Sequence, residues 1–303
     1  MEFRKIQFTG RSSYIVSLPK AWIKEHGLKR GDTVSLVLNP DGSITIFPGK
    51  YRERQLSRKL KITRDYSPDM AIRLVISAYI QGYDTIEIEL EEEMPLYKVA
   101  IRKTLQSLPG VEIVFEEQQR IVAKSLLDEE EINLVELLKR MSAIVTSMFS
   151  DLELIIQGQN GEVLRDIKDL ENELDRFYFL IMRAVNRLLS KRGVTEESGL
   201  FKKPFDLIGI LLIARNVERI GDHIIRIAEN PDYIDVKYLL EKFHEMMAQV
   251  EAMDLYKVDK LMMELGERAK NTDYRKSISM DSYRRILEYL ENIGEVIINM
   301  AIG

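Results

Sequence analysis

"NVERIGDHIIRIAEN", residues 216–230, and "LENIGEVIINMA", residues 290–301, say nearly the same thing twice. Laid over each other without a gap, they match Glu218 to Glu291, Ile220 and Gly221 to Ile293 and Gly294, and Asp222 to Glu295. Ile224 and Ile225 match Ile297 and Ile298, and Ala228 matches Ala301. Self-similarity of this kind marks a duplicated structural unit. The pattern from about residue 129 to the end is helical, with helices expected over 129–157, 161–191, 204–229, 233–253, 255–271 and 279–301. "GQNG", "KRGVTEESG", "NPD" and "KNTD" separate them. Short joints between long helices make an up-down bundle, and the repeat divides the six into two triads over 129–303.

Upstream the period changes. In residues 1–50, "YIVSLP" and "TVSLVL" read as strands, and Asn39-Pro-Asp-Gly42 before "SITIF" is a hairpin turn. "PKAWIKEHGL" between the first two strands is a short helix with Pro19 at its start and Gly27 at its end. So small a segment buries little surface alone, which favours pairing with a second copy. Residues 55–127 alternate strand, helix, strand, helix and then a hairpin, with Pro68 and Gly82, and then Pro95 and Gly110, bracketing the helices. That βαβαββ order describes a small α+β sandwich with its helices on one face. The fold class is therefore multidomain α+β with an all-α C-terminal bundle. The middle segment shows no site chemistry and reads as a spacer or dimerisation unit.

Cysteine is absent and there are three histidines (His26, His223, His244), which excludes disulfides, Cys zinc sites, iron–sulfur clusters and thiol catalysis. No stretch is long and apolar enough to span a membrane, and "MEFRKIQFTGR" lacks the apolar core of a signal peptide, so a cytoplasmic protein without a transmembrane segment is expected. The net charge of -5 hides an asymmetry: residues 1–64 hold 14 basic and 5 acidic side chains, so the basic excess lies at one end and the acidic excess in the rest. Different partners for the two ends follow.

Glu218 and Asp222 lie four apart and share a helix face, where two carboxylates repel by a few tenths of a kcal/mol unless a cation sits between them. "DLENELD" puts Glu171 and Asp175 at the same spacing on the second helix. With helices two and three side by side, four carboxylates converge. Oxygen sets of this kind take Mg²⁺, Ca²⁺ or Mn²⁺, and clustered iron or zinc with bridging carboxylates. Gly221, costing about 1 kcal/mol inside a helix, marks a close helix approach or room for a cluster. The plainer alternative is a solvated face neutralised by Arg176, Arg215 and Arg219. In the second triad Glu291 and Glu295 keep the spacing, Glu264 aligns with Glu171, and Arg268 falls opposite Asp175, with Asp259 and Glu267 as further donors. A carboxylate-bundle oxidase needs two Glu-x-x-His motifs, and only Glu241-Lys-Phe-His244 fits. His223 points about 100° away from Asp222 and is read as a surface or core histidine. Neither a P-loop nor a dinucleotide fingerprint is present, and a non-enzymatic protein is expected.

The paired E-x-x-x-D helices, and "VERIGDHIIRIAEN" above all, resemble the PhoU family of phosphate-uptake regulators over roughly residues 130–303. The resemblance implies two three-helix repeats holding multinuclear metal clusters, of iron or zinc or of Mg or Ca. It makes Glu171, Asp175, Glu218, Asp222, Glu264, Glu291 and Glu295 the ligands, and Arg268 and a shorter fifth helix depart from the pattern. The stretch "GRSSYIVSLPKAWIKEHGLKRGDTVSLVLNPDGSITIFP" resembles the AbrB/SpoVT swapped-hairpin domain, a combination found in archaeal PhoU-like proteins. This implies a homodimer with interleaved hairpins, and DNA contacts from Arg4, Lys5, Arg11, Ser12, Lys20, Lys24, Lys29 and Arg30. The two resemblances together imply a phosphate-uptake regulator with DNA and a phosphate ABC transporter or signalling protein as partners. In the alternative, the N-terminal domain of a transporter-associated regulator only dimerises.

Overall fold

The computed structural model describes residues 3–10, 13–38, 42–50, 55–128, 132–159, 161–190 and 203–302. It divides into two compact units, residues 1–54 and 55–303.

In the first unit, β1 (Gln7–Thr9) pairs antiparallel with β2 (Ser13–Ile15), α1 spans Lys20–Glu25, and β3 (Val34–Leu38) pairs antiparallel with β4 (Ile44–Pro48). Three residues are too few to show alternation, so β1 has no sequence signal, and only part of "YIVSLP" is extended strand. Positions 39–41 of the expected hairpin turn lie outside the described residues, but Leu38 pairs with Ile44 across it. No described side chain of this unit is buried: Phe8 is 61% exposed and Leu38 79%. Two-stranded ribbons without a covered face are marginal in water. Of its apolar residues, Ile6, Tyr14, Leu36 and Ile44 are exposed, and Trp22, Ile23, Val34, Val37 and Ile46 are only half-buried.

The second unit begins with the βαβαββ segment: β5 (Ser57–Ile62), α2 (Pro68–Ile80), β6 (Thr85–Leu90), α3 (Pro95–Ser107), β7 (Val111–Glu116) and β8 (Arg120–Ser125). The sheet order is β5-β6-β8-β7, with β5 and β6 parallel and the other pairs antiparallel. Ser67 caps α2 by accepting from the Met70 amide at 3.1 Å. Along β6, Ile86, Ile88 and Leu90 are buried, while the alternate positions Glu87 and Glu89 pair with Arg120 at 2.9 Å and Lys59 at 2.5 Å. The period of two therefore separates an apolar face from a charged one.

Six helices follow among the described residues: α4 (Leu134–Ile156), α5 (Glu162–Ser190), α6 (Pro204–Glu229), α7 (Val236–Ala252), α8 (Leu255–Lys270) and α9 (Ile278–Ile302). Asn133, Asp235 and Asp254 cap α4, α7 and α8 through their side-chain oxygens. One apolar core runs through all six, from Leu138 and Met148 to Ile224, Phe243, Leu265 and Ile297.

The middle segment is fastened to this bundle through α5. Arg183, wholly buried, donates from Nη1 to the carbonyls of Tyr79 at 2.8 Å and Tyr83 at 3.0 Å, and stacks over the Tyr79 ring. Asn186 donates to the Ile80 carbonyl at 3.3 Å, and Arg187 to that of Gly82 at 3.4 Å. Asp84 faces both guanidinium groups, 3.5 and 3.7 Å away. These carbonyls lie in the last turn of α2 and the turn after it, at the negative pole of the helix dipole, and that of Tyr79 also accepts from the Gly82 amide at 3.0 Å. Gly82, at φ +82°, leaves room for the aliphatic part of Arg187, which a Cβ would meet at 2.6 Å. The middle segment is thus anchored on the helix that carries Glu171 and Asp175.

Arg183→Ala takes the donors from buried carbonyls, and an unmet buried polar group costs about 1–3 kcal/mol. A loss on the order of 3 kcal/mol is expected, read as a lower urea midpoint with helix content unchanged by circular dichroism. An unchanged midpoint would show that this contact carries no stability.

Candidate functional site

On α5, Glu171 and Asp175 stand three residues before and one after Leu174. On α6, Glu218 and Asp222 stand three before and one after Gly221. Leu174 and Gly221 are the contact point of the two helices: a Cβ on Gly221 would lie 2.4 Å from Leu174 Cδ2. Their meeting gathers four carboxylates around one space.

The electrostatics show the gathering. Burial, then the charges of Asp175 and Asp222, pushes Glu171 up to about 7. Burial and then Asp222 raise Asp175 to about 6, with Arg215 pulling the other way. Glu218, 9% exposed, is pushed up to about 7 by burial and Asp222, against the opposing pull of Arg215. Asp222 is raised by burial, and Arg219 and Arg215 offset part of the effect.

Two arginines share the site, as the solvated-face alternative requires. Arg215 donates to Glu218 Oε1 at 3.0 Å while stacking over the Tyr178 ring, and Arg219 donates to Asp222 Oδ2 at 3.2 Å. They leave Glu218 Oε2 buried without a hydrogen-bond partner. Among the described residues no group of three His, Asp or Glu side chains is placed to hold a metal ion. The acids surround a shared space without being closed into a coordination shell. A buried carboxylate oxygen that no hydrogen bond meets, with Arg219 Nε 3.8 Å away and hard donors around it, nevertheless fits an oxygen-ligated cation.

The second triad has a different register from the one charge spacing gives. A Cβ on Gly294 would meet Met262 at 2.7 Å and Met246 at 3.2 Å, just as one on Gly221 would meet Leu174 and Met148. Met262 therefore answers to Leu174, which sets Asp259 opposite Glu171 and Met263 opposite Asp175. Glu264 faces α7 instead: it accepts from the Tyr238 hydroxyl at 3.2 Å and pairs with Lys242 at 3.2 Å. Arg268 lies on the same side, bonded to the Tyr283 hydroxyl and to Asp235. Glu291 packs over Gly266, with Oε1 3.0 Å from where a Cβ would be. Its carboxyl is raised by burial and by Glu295, with Lys270 opposing.

His223 is a core histidine: buried against the Tyr289 ring, it is held down at about 4 by burial and then by Arg226. His244 meets the Thr146 hydroxyl across α4 and α7 at 2.9 Å. Sequence reasoning passed over Asp151, which burial and a hydrogen bond with Asp166 raise to about 6. The two sit on different helices, so no spacing pairs them. Tyr178, Arg183 and Arg187 were also missed, because within "FYFLIMRAVNRLL" they read as interruptions of an apolar stripe.

In the first unit, Arg4, Lys5, Lys20, Lys24, Lys29 and Arg30 are all exposed, while Arg11 and Ser12 lie outside the described residues. Lys20 and Lys24 are one turn apart on α1. Trp22 stacks edge-on with His26, its ring centroid 4.9 Å away.

Comparison with known proteins agrees with this division. Residues 138–230, from within α4 to the end of α6, match the PhoU domain family. Residues 7–54 match the family described as antidote-toxin recognition MazE, a bacterial antitoxin. The chain therefore carries a PhoU domain and, at its N-terminus, a MazE/AbrB-like domain. No curated protein matches the chain. Among the described residues no helix is long and apolar enough to cross a membrane.

The raised carboxyls make the metal-free protein sensitive to pH. Glu171, Asp175 and Glu218 hold protons in the folded state that they release when unfolded, so the stability they contribute is lost as pH rises through about 7. His223, lowered to about 4, acts in the opposite sense, and only below its unfolded value near 6.5. With chelator present, the thermal midpoint should fall from about pH 6.5 to about pH 8, and Glu218→Gln should flatten that fall. A midpoint that rises over this range in the wild type would contradict the assignment.

Proposed function

We propose that this protein regulates phosphate uptake, holding metal ions on the first half of its bundle and contacting DNA as a dimer through its N-terminal unit. The observation that carries the metal part is the four-carboxylate space with its buried Glu218 oxygen that no hydrogen bond meets, inside the segment that matches the PhoU domain. That match supports the role in phosphate uptake, and both matched families are regulatory. Glu171, Asp175, Glu218 and Asp222 would hold the ions, and a bound cation would relieve the repulsion that raises their proton affinity.

Dimerisation is supported by the exposed apolar ribbons of residues 3–50, which a second copy would cover. The exposed basic side chains of this unit, Arg4, Lys5, Lys20, Lys24, Lys29 and Arg30 among them, would then be doubled, and releasing counterions from several phosphates at once is what gives salt-dependent DNA affinity. The same exposed ribbons also favour a second reading, in which the unit only dimerises and the regulator acts at a transporter.

Glu218→Gln with Asp222→Asn should cut the metal content of the purified protein at least fivefold while helix content is preserved. Unchanged content would dismiss these ligands. The full chain should sediment as a dimer and residues 55–303 as a monomer. At about 0.15 M salt the full chain should retain a small set of fragments from sheared genomic DNA, and residues 55–303 none. Sequence-blind retention, or none, by the dimeric full chain would favour the second reading.

A further inference from the structure

The two halves of the bundle repeat the same helical frame, yet they differ as places for a cation. The contact at Gly221 and Leu174 recurs at Gly294 and Met262, and the same step along the chain carries Tyr178 to Gly266, Glu171 to Asp259 and Asp175 to Met263. In the first half, Tyr178 is buried beside the carboxylates with Arg215 stacked on it, and Glu218 is buried with it. In the second, Gly266 has no side chain and the Glu291 carboxylate packs over it. A groove of about 470 Å³ lies there between α8 and α9, lined by Asp259, Met263, Gly266, Glu267, Lys270 and Glu291.

Charge alone does not separate the halves. The first sets four acids against Arg215 and Arg219, and the second sets Asp259, Glu267, Glu291 and Glu295 against Lys270. Donor type and water access do separate them. Met263, 70% exposed, puts a soft thioether where Asp175 offers a hard carboxylate, and thioethers are poor ligands for the hard cations that oxygen sets favour. Asp259 and Glu295 are exposed, whereas their counterparts Glu171 and Asp222 are partly buried. Water screens charges at an open surface far more than in a half-buried site.

We propose that the metal ions lie in the first half of the bundle alone, and that the second half has kept the helical frame while losing the site. The inference rests on the metal reading given above. It makes the protein asymmetric: one half binds cations, and the other is an open acidic groove with a lysine in its wall.

Metal content per chain decides it, measured by mass spectrometry on full-length protein loaded in turn with iron, zinc and manganese and then desalted. The wild type, Glu218→Gln with Asp222→Asn, and Glu291→Gln with Glu295→Gln are compared, together with the shift in thermal midpoint that each metal produces. The second-half variant is expected to keep the wild-type content and shift within about 20%, while the first-half variant loses at least fivefold. Loss of half or more of the metal from the second-half variant would overturn the proposal while leaving the metal reading intact. A wild type that retains no metal of any kind would overturn both, and is distinguished by its failure before any substitution is made.

Discussion

A methyl group of Leu174 occupies the space that a side chain at Gly221 would need, 2.4 Å from the missing Cβ. Glycine within a helix costs about 1 kcal/mol, and here the cost is offset by the approach it permits between α5 and α6. Because each helix carries acids three residues before and one after the contact, that approach fixes where four carboxylates stand. Burial and mutual repulsion then push two of them up to about 7. Without the notch at Gly221 the same side chains would lie on a solvated face.

The helix that brings two of these acids also carries Arg183, Asn186 and Arg187, about two to three turns further on. Those side chains close the end of α2 and fix the middle segment to the bundle. The middle segment, featureless in its own chemistry, is in this way held by the same helix that contributes half of the carboxylate centre. Any shift of α5 would be felt in both places, since wholly buried Arg183 spans Tyr79 and Tyr83 and has no slack.

The N-terminal unit follows the opposite logic. Its strands pair in two ribbons, yet none of its described side chains is fully buried, and several large apolar residues are exposed alongside its basic ones. Hydrophobic burial is the main drive to fold, and here the unit leaves it unspent. The bundle, by contrast, closes one continuous core around itself.

Periodicity, capping residues and the glycine and proline brackets made the helices of the bundle and the βαβαββ order legible along the chain, because those signals are local. The duplicated acidic motif likewise revealed two triads and named Glu171, Asp175, Glu218 and Asp222. Three things were decided only by tertiary packing. The register of the second triad is set by Met262 filling the notch at Gly294, and charge spacing does not encode apolar fit, so Glu264 aligned with Glu171 in sequence yet faces α7. The strand β1 is too short to show a period and exists through its partner β2. Arg183 and Arg187 become anchors because the fold brings the carbonyls at the end of α2, some hundred residues earlier, against them, a meeting that no window of the sequence contains.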